Sequence, residues 1–198
     1  IKVKGNVRIT LETIAVFGDI KINEDYDAQK INELTKKLYD TDFFSYLEIN
    51  LNNGVLEIFV KENPIIKNLI FNGIKAKKYR EAILDIIELK EKTSFVENKL
   101  SKDIQKIKGA FKNSGFYFIK VEAFAKENLN NSIDLIYEIN LGKRAKIGKI
   151  EFIGDKKFKD NKLRGVITSE ETKAWKFLSS KKYLNEERIK LDTRLLEN

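Results

Sequence analysis

Apolar residues recur every three to four positions in three stretches of the chain, a period typical of one face of an α-helix. These stripes fall at residues 31–38, 100–111 and 189–196. A shorter amphipathic helix is predicted before each stripe, at residues 10–17, 79–89 and 160–167. Asn23 and Asn98 are predicted N-caps of the first two longer helices, and the third is predicted to start at residues 185–187. A glycine, Gly115, stands where the second longer helix should end.

The first two longer helices lead into segments of alternating apolar and polar residues, the pattern of a strand with one covered face. The alternation covers residues 46–51 in one copy and 119–123 in the other. Asn53-Gly54 predicts a two-residue hairpin after the first segment, whereas residues 126–132 predict a looser turn after the second. A third strand follows each turn, at residues 55–61 and 133–140.

A short phrase that closes on a glycine opens each unit as a strand; it is rich in Ile and Phe in the second and third units, and the chain opens on a weaker copy, IKVKGN. The three glycines are Gly5, Gly73 and Gly154. Because the phrase recurs in register, its apolar residues are predicted to lie in the core, namely Ile65, Ile70, Phe71, Ile150 and Phe152. Gly73 and Gly154 are predicted to serve a turn with positive φ or a tight contact. The predicted fold class is therefore α+β, with tandem β-α-α-β-β units.

Each predicted unit is a three-stranded mixed sheet with two helices on one face. The expected boundaries are residues 1–63, 64–142 and 143–198. The first unit is expected to be trimmed, because it begins inside its first strand. The third is expected to be partial and the least stable, because its two closing strands are missing. No leader pattern opens the chain, so we expect a trimmed or mature chain.

The charge pattern favours solvated surfaces over a polyanion site. The chain carries 38 basic and 30 acidic residues, a formal net charge of +8, and the two signs are interleaved along its length. It contains no Cys and no His, which removes disulfides, thiol chemistry and His-based triads, and leaves only all-carboxylate oxygen sites open to a metal. Adjacent acidic pairs such as Glu170-Glu171 do not converge on one substrate. We expect a non-enzyme without a cofactor or a metal, and no nucleic acid as partner.

The order of elements and the wording of the joints resemble the POTRA repeats of outer-membrane β-barrel assembly factors. The joints read ENPIIKNLIFNG at residues 62–73 and GKRAKIGKIEFIGD at residues 142–155. Phe17-Gly18-Asp19, LYDTDFFSYLEI at residues 38–49 and the final stretch 174–198 are similar to the same family. No single motif is specific, but their order and spacing cover essentially the whole chain.

The resemblance implies a periplasmic arm of an outer-membrane protein. Such an arm receives unfolded outer-membrane β-barrel proteins and docks the lipoproteins of the assembly machinery. Contact with the membrane would be made only through a C-terminal barrel that is missing here. Three alternatives stay open: the soluble arm of another POTRA-containing translocator, a basic α/β module that binds nucleic acid, and a purely structural spacer.

A three-stranded sheet leaves an edge where an extended peptide can add as a further strand. The resemblance implies that the second strand of each unit is this edge. The candidate residues are Tyr46, Leu47, Glu48, Ile49 and Asn50 in the first unit, and Phe118, Ile119, Lys120, Val121 and Glu122 in the second. The alternative is that both are ordinary edge strands whose charged side chains disfavour pairing with another strand. Trp175 is either packed within the third unit or a partner-facing anchor.

Overall fold

The computed structural model describes residues 1–154, 157–173 and 179–198. Its strands are β1 (Lys2–Lys4), β2 (Phe44–Asn52), β3 (Val55–Glu62), β4 (Ile65–Asn72), β5 (Lys120–Asn128) and β6 (Ser132–Asn140). Its α-helices are α1 (Leu11–Gly18), α2 (Ala28–Tyr39), α3 (Lys77–Ile86), α4 (Glu97–Asn113), α5 (Asp160–Val166) and α6 (Glu186–Glu197). A short 3₁₀ turn, Ser180–Lys182, precedes α6.

Two compact units make up the chain. One comprises Ile1–Ile70, Glu88–Lys102 and Phe124–Ile136, and the other comprises Phe71–Ile87, Asp103–Ala123 and Tyr137–Asn198. The strands form two three-stranded mixed sheets, in the orders β1-β3-β2 and β4-β6-β5. The α+β fold class and its order of elements are confirmed, while the boundaries at residues 63/64 and 142/143 stay a prediction.

The first sheet is mixed because its central strand, β3, runs parallel to β1 and antiparallel to β2. Asn53 and Gly54 both have positive φ, 50° and 74°, as a type I′ hairpin turn requires. This turn was predicted from the Asn-Gly pair. Helices α1 and α2 contribute to a core with this sheet, whose buried members are Ile9, Ile14, Leu34, Leu38, Phe44, Leu47, Leu56, Ile58 and Val60.

The second sheet repeats this arrangement. Asn68 donates to Asp134 over 2.7 Å, and Asn72 donates to Glu138 over 2.7 Å. Both pairs are 66 positions apart in the chain. A constant offset means that β4 and β6 run parallel, as β1 and β3 do. The turn between β5 and β6 is tighter than predicted, and β5 extends to Asn128.

The helix starts were predicted with mixed success. Asn185 caps α6, accepting the N–H of Arg188 over 2.7 Å. Asn23 does not cap α2: its φ is +63°, whereas an N-cap needs an extended backbone. Asp27 is the cap: its Oδ1 atom accepts a hydrogen bond from the N–H of Lys30 over 2.8 Å. Asn98 lies inside α4, which begins one residue earlier at Glu97.

The predicted core of the repeated phrase is wrong at Ile70. Ile70 is 36% exposed, because it lies between Asn68 and Asn72, whose side chains bond across the open face of the sheet. Ile65 and Phe71 are half-buried, with Phe71 stacked on the fully buried Tyr137. The fully or almost fully buried residues of this stretch are instead Ile66 and Ile74.

The third copy of the phrase does not form the predicted strand. No strand covers residues 147–153, so Ile150 and Phe152 are only half-buried and Ile153 is 95% exposed. A regular strand needs a continuous ladder of bonds to a neighbouring strand. The segment makes an isolated bridge between Lys146 and Tyr183. Ile147 also donates to the Lys182 carbonyl and accepts from the Thr172 N–H, each over 2.8 Å, but these bonds do not extend into a ladder. None of the helices in the described ranges has both the length and the apolar content that a membrane span requires.

Candidate strand-addition edges

The first candidate segment, residues 46–50, lies on β2 at the edge of its sheet. Asn52 pairs with Val55 across the two-residue turn, so this pair exchanges hydrogen bonds. Bonded and non-bonded pairs then alternate backward along the unbroken register. The N–H and C=O groups of Leu47, Ile49 and Leu51 consequently point away from β3 toward the open edge.

One of these outward groups is already occupied. The N–H of Leu47 donates to the hydroxyl of Tyr39 over 3.1 Å. Tyr39 is the last residue of α2, and its side chain reaches eight residues ahead to the strand. A β-bulge between Phe44 and Tyr46 interrupts the register just before this point. The regular part of the edge that remains open therefore runs from Ile49 to Leu51.

The side chains of β2 on the solvent face form a polar ladder. The Tyr46 hydroxyl donates to Glu48 over 2.7 Å, and the Asn50 amide donates to the same carboxylate over 2.9 Å. The bond to Glu48 raises the pKa of the Tyr46 hydroxyl above its ordinary value. The bonds from Tyr46 and Asn50 hold the pKa of Glu48 below its ordinary value. The carboxylate thus stays charged beside this edge at neutral pH.

The second candidate segment only partly coincides with a strand. β5 is an edge strand, but it begins at Lys120, so Phe118 and Ile119 precede it. Phe118 lies in a turn, is 69% exposed and meets the ring of Tyr117 edge-on at 5.5 Å. The aromatic run after α4 forms a turn first, because Gly115 ends that helix with a φ of +90°.

Within β5 the side chains alternate as the sequence predicts. Val121 is buried, whereas Lys120 and Glu122 are exposed. The two exposed side chains carry opposite charges, so this edge has no single electrostatic preference. The structure thus places residues 46–50 and 120–122 on edge strands.

The remaining candidate, Trp175, lies outside the described residues. Among the residues that are described, no group of three or more acidic side chains could hold a metal ion. Sequence reasoning missed Tyr39, because its role depends on where the end of α2 meets the strand and no local motif announces it. It also missed two buried carboxylates, Glu62 and Asp192, which accept hydrogen bonds from backbone N–H groups of loops.

Residues 64–142 match the family model of POTRA, described as a surface antigen variable number repeat. The chain is 26% identical over 196 residues to the outer membrane protein assembly factor BamA of Neorickettsia risticii, covering 99% of this chain and 26% of that protein. It is 27% identical over 195 residues to BamA of Neisseria meningitidis, covering 97% of this chain and 24% of that protein. The chain thus spans about a quarter of the length of these curated relatives.

The chain is similar to a crystal structure of POTRA3-5 of Haemophilus influenzae BamA. The match covers 99% of this chain and 82% of that one, with 13% identity and a TM-score of 0.46. The family match and the internal repeat agree on the second copy, where the first strand, both helices and the two closing strands are all present. Residues 64–142 are therefore a POTRA repeat, in a chain that is similar over nearly its whole length to the outer membrane protein assembly factors named BamA.

Proposed function

We propose that this chain belongs to the periplasmic arm of an outer-membrane protein assembly machine, where it binds unfolded β-barrel proteins by strand addition. The observation that carries the proposal is the POTRA match of residues 64–142 within relatives named for outer-membrane protein assembly. The edge strands β2 and β5 supply a physical means of binding.

Strand addition suits this class of client. An added strand is held mainly by backbone hydrogen bonds, which every sequence can supply, and pockets for alternate side chains add only modest selectivity. Clients that share strand content rather than one motif can then use the same edge. The affinity of one edge for one short peptide is expected to be weak, because the entropy lost when the peptide becomes ordered opposes its hydrogen bonds to the edge. Several edges acting on one client would strengthen the hold.

Partner docking completes the proposal. Lipoproteins of the assembly machinery are proposed to bind the same arm, as the family resemblance implies. A periplasmic location agrees with the similarity to BamA proteins. The role is that of a scaffold, and it requires no catalytic group.

The decisive experiment is an NMR titration of the intact 198-residue chain with a ten-residue β-strand peptide from an outer-membrane barrel protein. The matched control is the same peptide with an N-methyl group on every backbone amide, which removes the donors of both edges and keeps every side chain. Strand addition predicts chemical-shift changes that cluster on β2 or β5 with the first peptide and are absent with the second.

A duplex oligonucleotide at two salt concentrations tests the competing function suggested by the net charge of +8. Binding to nucleic acid weakens steeply with salt, because bound counterions are released, whereas strand addition changes little. Shifts spread over lysines that occur only with DNA and disappear with salt would overturn the proposal. Equal shifts with both peptides would overturn strand addition as the mode of binding. The absence of chemical-shift changes with every ligand would indicate a purely structural spacer.

A further inference from the structure

We infer that Tyr39 closes the β2 edge, so that an incoming strand takes β5 and reaches β2 only when the hydroxyl of Tyr39 is displaced. The inference rests on the proposed function, since it concerns which of its two edges receives a client. It arises from one contact, the 3.1 Å hydrogen bond from the N–H of Leu47 to the Tyr39 hydroxyl.

The occupied group, the N–H of Leu47, is one of the donors that an incoming strand would need. The N–H groups of Leu47, Ile49 and Leu51 face outward, and an added strand would bond to all three in turn. With the first donor occupied, only two donors are left, between the bulge at Phe44/Tyr46 and the hairpin turn. The part that stays open, from Ile49 to Leu51, is three residues long, which is the lower limit of the usual strand length.

The Tyr39 hydroxyl accepts the hydrogen bond that the N–H of Leu47 would otherwise donate to an added strand. A native edge must avoid pairing with other chains, and proteins achieve this by bulges, charges or covering groups. β2 carries all three: the bulge, the charged Glu48 on its solvent face and the tyrosine over its amide. Displacing Tyr39 exchanges one hydrogen bond for another, so the incoming strand gains little at this position.

The POTRA repeat at residues 64–142 has a different residue at the matching position. Leu38 and Phe111 are the buried residues in the last turns of α2 and α4, so the residue after each, Tyr39 or Lys112, occupies the same place in its repeat. The Lys112 ammonium lies 5.1 Å from the centroid of the Tyr117 ring. An ammonium group only donates hydrogen bonds, so it cannot accept one from a strand amide as Tyr39 does.

The test compares the wild-type chain with Tyr39→Phe, and takes Tyr46→Phe as control. Both changes delete one phenolic hydroxyl from a partly exposed ring, but the hydroxyl of Tyr46 bonds to the Glu48 side chain and not to the backbone. Amide hydrogen exchange comes first. Leu47 should exchange about two- to tenfold faster in Tyr39→Phe than in the wild type, because its acceptor is gone. It should be unchanged in Tyr46→Phe.

The titration with the ten-residue β-strand peptide follows on the same three proteins. Shifts should be confined to β5 in the wild type and in Tyr46→Phe, and should appear at residues 47–51 as well in Tyr39→Phe. Equal shifts at β2 in all three proteins, or unchanged exchange at Leu47, would overturn the inference. A response at β5 with no gain at β2 in Tyr39→Phe would overturn the inference and leave the proposed function standing. If no chemical-shift change occurs at either edge in any of the three proteins, both the inference and the proposed function are overturned.

Discussion

The carbonyl oxygen of Ile139 lies 1.9 Å from the point that a Cβ atom on Gly73 would occupy, so a side chain at residue 73 has no room. The backbone of Gly73 is also left-handed, with a φ of +79°. The same relationship holds in the first sheet, where the carbonyl oxygen of Val60 lies 2.1 Å from the Cβ position of Gly5. The glycine that the sequence repeats thus marks where each sheet's first strand ends, against the central strand.

Gly73→Ala is expected to lower the free energy of unfolding by about 2 kcal/mol or more. A left-handed backbone costs an ordinary residue roughly 1–2 kcal/mol, and the contact with the Ile139 carbonyl must be relieved in addition. Gly109→Ala is the control, because this glycine lies within α4 with open space around its Cβ position. It should stabilise the chain by about 0.5–1 kcal/mol. Urea unfolding measures both, and a Gly73→Ala protein as stable as the wild type would contradict the argument.

Glu62 holds the loop between β1 and α1. Its Oε1 atom accepts the N–H groups of Val7, Arg8 and Ile9 over 2.8, 2.9 and 2.8 Å, and its side chain is only 1% exposed. Hydrogen bonds to a carboxylate oxygen are stronger than those to the oxygen of a neutral amide. Glu62→Gln keeps the shape and removes the charge, so we expect a loss of about 1–3 kcal/mol of stability.

Thermal unfolding of Glu62→Gln and Glu33→Gln side by side measures this loss. Glu33 is an exposed residue of α2, and its replacement should change stability by no more than about 0.5 kcal/mol. If the two variants unfold alike, the carboxylate of Glu62 adds nothing beyond its packing.

The sequence predicts the elements of this fold well because their signals are local. Helical stripes, the Asn53-Gly54 turn and the repeated glycine each depend on neighbours within a few positions. The cap of α2 was placed at Asn23 instead of Asp27, because Asn and Asp cap about equally well and only the backbone decides between them. Ile70 is predicted to lie in the core because the Ile/Phe phrase recurs, whereas its neighbours on the same face of β4, Asn68 and Asn72, mark that face as the open one.

The candidate site was harder to predict for a different reason. Edge strands follow from the order of strands, and the family resemblance supplied that order. Whether an edge is open depends on contacts between residues that are distant in the chain or lie on different elements. Tyr39 acts on Leu47 through the position of a helix end, and Glu62 acts on Ile9 across 53 positions. No periodic pattern carries such information.

Asp192 should make the region around α6 sensitive to acid. Burial alone would raise the pKa of Asp192, but the hydrogen bonds from Ser169 and Thr168 outweigh it and hold the pKa below its ordinary value. These bonds measure 2.6 Å and 2.7 Å from the N–H and hydroxyl of Thr168, and 3.1 Å from the N–H of Ser169. Because the folded pKa is lower than the unfolded one, the carboxylate stabilises the fold above about pH 4.

This stability is expected to be lost as the pH falls through the folded pKa. Amide exchange of Thr168 and Ser169, followed from pH 6 downward, measures it. Glu171 is another carboxyl of this region whose pKa is lowered, by the Ile150 N–H and by Arg164, so the comparison with Asp192→Asn is needed to isolate Asp192. The variant should be less stable at neutral pH and lose less on acidification. A parallel decline in both proteins would assign the effect to other groups.

Arg144 joins the end of α4 to the segment that follows the POTRA repeat. Its guanidinium carbon lies 3.6 Å from the centroid of the Tyr183 ring, and its Nε and Nη2 atoms donate to the Ser114 carbonyl over 3.0 and 2.7 Å. Arg144→Lys keeps the charge but loses the planar stack and the paired donors. The neighbouring backbone bonds, from Ala145 to Gly115 over 2.8 Å and from Leu184 to Ala145 over 2.9 Å, should then open more often.

We expect the amides of Ala145 and Leu184 to exchange about two- to fivefold faster in Arg144→Lys, which corresponds to the loss of an exposed cation–π contact. Arg194→Lys, the same chemical change at an exposed position of α6, should leave both amides unchanged. Equal exchange in the two variants would mean that the backbone bonds alone hold the joint. Faster exchange confined to Arg144→Lys would make the arginine the residue that sets how firmly the segment after residue 142 is held.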